Sequence, residues 1–160
     1  MDSTGLIDES DEGDNRSGGV NVCVAAEDSY EDDNAAATAP LLPIGASQAH
    51  RIDGPGDRDW MRLAVSVGRL YRFTTINLGA GVDTRLSIYG PNGAQRLALN
   101  DDANPTTIGS ALWWAPVAPG DYYLVAEDWN PGSGGCGQTY TVDAADMGPA
   151  YLSLMPVLGR

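Results

Sequence analysis

Met61-Arg62-Leu63-Ala64-Val65-Ser66-Val67-Gly68 reads as β-structure. Met61, Leu63, Val65 and Val67 alternate with Arg62, Ala64 and Ser66, the period of a half-buried strand, and Gly68 closes the run. Downstream, Leu70 to Leu78 predicts a second strand. Tyr71 and Phe73 fall on one face and Ile76 and Leu78 on the other, so a bulge is expected near Thr74-Thr75. Gly79-Ala80-Gly81 turns the chain into a strand marked by Leu86 and Ile88. Gly90-Pro91-Asn92-Gly93 is a hairpin signal, followed by Leu97 and Leu99. A strand over Ile108 to Val117, another over Tyr122 to Glu127 after Pro119-Gly120-Asp121, and a last one over Gln138 to Asp143 complete the series. Upstream, Ala35 to Ala39 allows only a short helical turn, limited by Pro40 and Pro43. Short strands at regular spacing, with turn residues between them and no long amphipathic helix, predict an all-β, jelly-roll-like antiparallel β-sandwich.

The 160 residues suffice for one domain, and the 42 % apolar content for a core. Charge is unevenly placed. Residues 1–34 carry 11 of the 22 acidic side chains and one of the nine basic ones, a net charge of −10. The other 126 residues are nearly balanced, at −3. Nucleic acid and anionic membranes, which need clustered positive charge, are therefore poor partners. The stretch 1–26 is too polar to offset chain entropy and is expected to be a disordered acidic arm. It also lacks the apolar run of a signal peptide, so export would depend on a longer parent chain. No apolar run is long enough to span a bilayer. The expected organisation is the arm 1–26, the sandwich 27–146 and an apolar tail 147–160, whose Tyr151 to Leu158 reads as one more edge strand or as a surface-protein tail.

Cys23 and Cys136 match no metal spacing. They are either two free thiols or a bridge across a long loop, which in the chain-entropy model contributes about 4–5 kcal/mol.

Immediately before the opening strand stands Gly56-Asp57-Arg58-Asp59-Trp60, and upstream stands Glu31-Asp32-Asp33-Asn34. Calcium takes roughly six to eight oxygen ligands, more than one acidic turn offers. Two acidic segments folded against each other can supply them. The alternative is a solvated linker, with the aspartates of the turn capping backbone amides.

Tyr30-Glu31-Asp32-Asp33, Gly56-Asp57-Arg58-Asp59-Trp60, Asp83-Thr84-Arg85-Leu86, Asn100-Asp101-Asp102 and Gly120-Asp121-Tyr122-Tyr123 stand in one order. In that order the chain, over about Asp28 to Val142, resembles bacterial pre-peptidase C-terminal domains. These are the accessory sandwiches of secreted proteases, and they are related to the collagen-binding domains of clostridial collagenases. The resemblance implies a secreted, non-catalytic module. It also implies calcium held by Glu31, Asp33 and Asn34 from the linker and by Asp57 and Asp59 from the turn. Asp32 stands where the family commonly has proline, and the turn spacing departs from the collagen-binding branch.

Asn100-Asp101-Asp102 reads first as a self-stabilised turn and second as a further ion site with Asp83. Trp113 and Trp114 project to opposite faces of their strand, one into the core and one outward. The outward ring, with Tyr122, Tyr123 or Trp129, is a candidate surface for an extracellular protein or polysaccharide. His50, the one histidine, has no nucleophile motif near it and reads as a polar residue at a strand edge. Asp57 and Asp59 lack the facing geometry of a glycosidase pair. The expected function is thus that of a monomeric, extracellular, calcium-stabilised accessory module. It would serve a parent protease or other secreted protein in cis, in adhesion, folding or processing. The alternatives are a stand-alone lectin-like binder or a fragment of a secreted hydrolase.

Overall fold

The computed structural model describes residues 28–135 and 137–150. The acidic arm, both cysteines and residues 151–160 of the tail lie outside them. Among the described residues, nine strands form two sheets and there is no helix. The strands are β1 (Leu41–Leu42), β2 (Ser47–Arg51), β3 (Asp59–Leu63), β4 (Arg69–Ile76) and β5 (Thr84–Tyr89). They continue with β6 (Arg96–Asn100), β7 (Ala111–Trp114), β8 (Tyr122–Asp128) and β9 (Thr139–Pro149). One sheet has the order β1-β3-β8-β5-β6 and the other β2-β9-β4-β7. All pairs are antiparallel except β1 with β3. The architecture is the predicted jelly-roll-like sandwich.

Alternation builds the core. Met61 and Leu63 of β3, Tyr71 and Phe73 of β4, Leu86 and Ile88 of β5, and Leu124 of β8 all turn into the space between the sheets. Burying each such side chain contributes about 1.5–3 kcal/mol before entropy. The hairpin after β5 closes as expected, with the Gly93 amide donating to the Gly90 carbonyl at 2.8 Å and the Gly90 amide to the Gln95 carbonyl at 2.9 Å. Ala35 to Thr38 makes a single hydrogen-bonded turn.

Several expectations are revised. β3 ends at Leu63, and Val67 is exposed in the following loop. Trp60, on the outer face of β3, is also buried, because Tyr89 and Tyr123 pack on its ring and Ala36 of the linker lies close by. β4 keeps its alternation through Thr75. The register shift against β9 lies between Arg69 and Tyr71, not at Thr74-Thr75. The strand expected from Ile108 to Val117 shrinks to β7, with both end residues exposed. β9 runs on to Pro149, so Met147 to Pro149 continue the sheet.

Candidate metal centre

The linker from Asp28 to Asn34 crosses the end of the sandwich where β2 finishes and β3 begins. Its path is held by backbone bonds: the Trp60 amide donates to the Asp33 carbonyl at 3.1 Å. Asp28 anchors the other side. Its carboxylate accepts the Tyr30 amide at 2.8 Å and the Arg51 amide at 2.9 Å. The turn Asp53-Gly54-Pro55-Gly56-Asp57 folds back on itself, the Asp53 amide donating to Asp57 Oδ2 at 2.6 Å. Gly56 takes a φ of 79°, in the left-handed region that glycine tolerates. Gly134 of the next loop lies so close to Gly54 that a Cβ on it would stand 2.3 Å from the Gly54 carbonyl carbon. That contact presses the turn into place.

The result gathers six carboxylates. Glu31, Asp53 and Asp57 have ligand atoms within 4.8 Å of one another, and so have Glu31, Asp33 and Asp59. Glu31 belongs to both trios. A third trio at the inner end joins Asp28 and Asp59 to His50 of β2. Glu31, Asp53 and Asp57 line a cavity of about 400 Å³, with Asn34 on its rim. Asp33 and Asp59 lie beneath it with no solvent exposure. The one basic residue of the turn, Arg58, points away, its Nε 2.9 Å from Glu127, which Arg85 also pairs. It therefore leaves the acidic groups without its charge.

The electrostatics follow. Burial, then the Glu31, Asp28 and Asp57 carboxylates, push Asp33 up to about 8. Burial, then Asp57, raises Glu31 to about 7. Asp59 is driven well above the carboxylate range by burial, although a hydrogen bond from the Tyr140 hydroxyl opposes the rise. Burial also raises Asp57, against the stabilising backbone amides of Asp53 and Arg58. His50 moves the other way, lowered to about 4 by burial with Asp28 opposing, and is neutral at physiological pH. Among the described residues, Glu31 Oε1, both oxygens of Asp33, Asp53 Oδ2 and Asp59 Oδ1 are buried with no hydrogen-bond partner. Buried polar atoms are rarely left so. Hard oxygen donors at this density can hold a metal cation.

Of the five ligand candidates read from the sequence, Glu31, Asp33, Asp57 and Asp59 come together. Asn34 lines the cavity but spends its Oδ1 on the Arg58 amide at 3.3 Å. Sequence reasoning missed Asp28, Asp53 and His50. His50 does stand on an edge strand, β2, but it is not a solvated polar residue there: it is 1 % exposed, its ring between Tyr30 and Tyr140 at centroid distances of 4.9 and 5.8 Å. The carboxylate spacing of Asp53-Gly54-Pro55-Gly56-Asp57 was the available signal for Asp53.

The aromatic candidates do not form one surface. Trp113 is 53 % exposed on the outer face of β7, with the Arg72 guanidinium 5.8 Å from its ring. Trp114 is half-buried against the core, as strand alternation requires. Tyr122 is a correction: it is 3 % exposed, packs edge-on to Trp114 at 4.7 Å and donates its hydroxyl to the Ala118 carbonyl. Tyr123 is half-buried on the outer face of the other sheet, 6.0 Å from Trp60. Trp129 is exposed in the loop after β8. In the Asn100 loop, the asparagine side chain donates to the Asp102 carbonyl and accepts the Ala111 amide, while Asp83 Oδ1 and Asp101 Oδ1 are buried with no hydrogen-bond partner among the described residues.

No protein-family model and no curated protein sequence matches the chain. Solved structures do. The pre-peptidase C-terminal domain of a collagenase from Bacillus anthracis superposes with a TM-score of 0.52 at 18 % identity, covering 66 % of this chain and 93 % of that one. A periplasmic inhibitor of g-type lysozyme from Aeromonas hydrophila covers 66 % of this chain and 96 % of its own, with a TM-score of 0.45 and 12 % identity. The first likeness shows the fold: the chain has the sandwich of a pre-peptidase C-terminal domain.

Proposed function

We propose that this chain is a calcium-stabilised, non-catalytic accessory module of the pre-peptidase C-terminal kind, acting outside the cell alongside a secreted protein such as a protease. The observation that carries the reading is the meeting of Glu31 and Asp33 from the linker with Asp53, Asp57 and Asp59, five of whose oxygens are buried without partners. Glu31, shared between the two oxygen-only trios, and the cavity lined by Glu31, Asp53 and Asp57 suit calcium held between linker and turn. A bound cation would tie residues 28–34 to the sandwich and offset the repulsion among the acids. Catalysis finds little support in this centre. The one imidazole is sealed between aromatic rings and faces carboxylates rather than a hydroxyl or thiol nucleophile.

The test is thermal unfolding with calcium, with magnesium and with EGTA. Binding to the folded state alone adds about 2.7 kcal/mol when free calcium is 100 times its dissociation constant. Calcium is expected to raise the midpoint by several degrees and magnesium much less. Coincident midpoints overturn the reading. The exposed Trp113 with its Arg72 neighbour favours an adhesive role toward an extracellular polymer, tested by pull-down of wild type and Trp113→Ala on collagen, peptidoglycan and polysaccharide.

A further inference from the structure

The acidic cluster is not chemically uniform. Its outer and middle trios offer oxygen alone, whereas the inner trio of Asp28, His50 and Asp59 includes nitrogen. His50 is 1 % exposed, and neither ring nitrogen has a hydrogen-bond partner among the described residues. Nδ1 stands 3.6 Å from Asp33 Oδ2 and 3.8 Å from Asp28 Oδ2. Both distances are too long for a hydrogen bond. They are close to the separation of two ligands on one small ion: donors at about 2.0–2.2 Å from a tetrahedral zinc lie roughly 3.4 Å apart. Asp59 turns the unpartnered Oδ1 to the cluster, while Oδ2 accepts the Tyr140 hydroxyl. Calcium prefers oxygen donors, whereas imidazole with carboxylates suits zinc, cobalt or manganese.

We propose that the inner end of the cluster is a separate site for a borderline divalent cation of the zinc or cobalt type, ligated by His50 Nδ1 with Asp28, Asp33 and Asp59. It rests on the reading of the cluster as a cation centre, but the nitrogen sets it apart from the calcium positions. The two ions would share carboxylates, Asp59 and Asp33 lying in the inner and middle groups alike. The imidazole is held for this by its place between Tyr30 and Tyr140, which fixes the ring plane.

The experiment uses the full chain saturated with calcium, titrated with cobalt and followed by visible absorption, and with zinc followed by NMR. Because the chain has one histidine, a single imidazole reports. One equivalent of cobalt is expected to bind, and zinc to shift the imidazole nitrogen resonances at the same stoichiometry. His50→Gln is expected to lower cobalt affinity at least tenfold while the calcium-dependent rise in unfolding midpoint persists. Cobalt that fails to bind, that binds equally well to the variant, or that displaces calcium while zinc leaves the imidazole unmoved overturns the proposal. If the variant does not fold, the wild-type imidazole resonances decide alone. If calcium itself leaves the wild-type midpoint unchanged, the calcium reading fails, and the zinc shift in calcium-free protein still tests the nitrogen site.

Discussion

The Tyr140 hydroxyl, on β9 of one sheet, donates a hydrogen bond to Oδ2 of Asp59, on β3 of the other. Both side chains are buried, so this bond crosses the sandwich at the floor of the acidic cluster and aims the second Asp59 oxygen at it. Tyr140→Phe keeps the ring and removes the donor. Leaving a buried carboxylate one partner short costs about 1–3 kcal/mol. The variant should unfold earlier by chemical denaturation and bind calcium more weakly by calorimetry. An unchanged affinity would show that Asp59 needs no orienting partner.

Asp33→Asn separates repulsion from ligation. Asp33 is fully buried among carboxylates that push it up to about 8, so the cation-free fold must take up a proton there at neutral pH, and asparagine removes that cost. In EGTA the variant should melt higher than the wild type, and in saturating calcium lower. That reversal of order is the expected result of two melting curves. A variant less stable under both conditions would make Asp33 merely structural.

The cation-free protein should lose stability as pH rises. Asp33 and Glu31 titrate near 8 and 7 when folded, against ordinary values of 3.8 and 4.5. Their raised values mean that the folded state holds more protons than the unfolded one across this window. Their contribution is complete below about pH 4 and disappears as pH passes through 7 to 8. His50 has the opposite sign, lowered from 6.5 to about 4, so it erodes stability only as pH falls through that interval. Denaturation in EGTA should therefore show a decline from pH 6.5 to 8.5, which saturating calcium removes. A flat profile in EGTA would contradict the crowding of the carboxylates.

The adjacent tryptophans should part company. Trp114→Ala empties space beside Tyr122 and the core and should cost about 3 kcal/mol, the low end for a tryptophan in a core. Trp113→Ala loses an exposed ring and its contact with Arg72, no more than about 1 kcal/mol. Equal losses by urea titration would mean that the strand faces are misassigned.

Strands carrying large apolar side chains between clear turns were legible in the sequence, and the polar strand β2 was not. β4 and β5 carry clean alternation and clear turns at their ends. β2 reads Ser47-Gln48-Ala49-His50-Arg51, with no apolar side chain larger than alanine, yet its pairing with β9 buries Gln48, His50 and Arg51. That burial arises from tertiary pairing and leaves no periodic trace. β8 has the converse problem. Val125 on its outer face is as buried as Leu124 on its inner face, so period two cannot tell which of Tyr122 and Tyr123 enters the core. The two acidic segments were visible as ligand supplies. His50 and Asp28 were not, because only the crossing of the linker over the end of β2 brings them near Asp59.

The parallel pairing of β1 with β3 has a mechanical meaning. Leu41 and Leu42 run beside Arg62 and Leu63, and the Pro40 carbonyl and the Arg62 amide extend the ladder. Tension applied from upstream reaches this ladder only through the linker 28–34. Asp28, Glu31 and Asp33 lie upstream of that ladder, so their contacts meet the pull before it does. A cation gripping Glu31 and Asp33 against Asp57 and Asp59 would act as a clasp in series with the ladder, setting the force at which the tether peels away while the core strands remain unstrained.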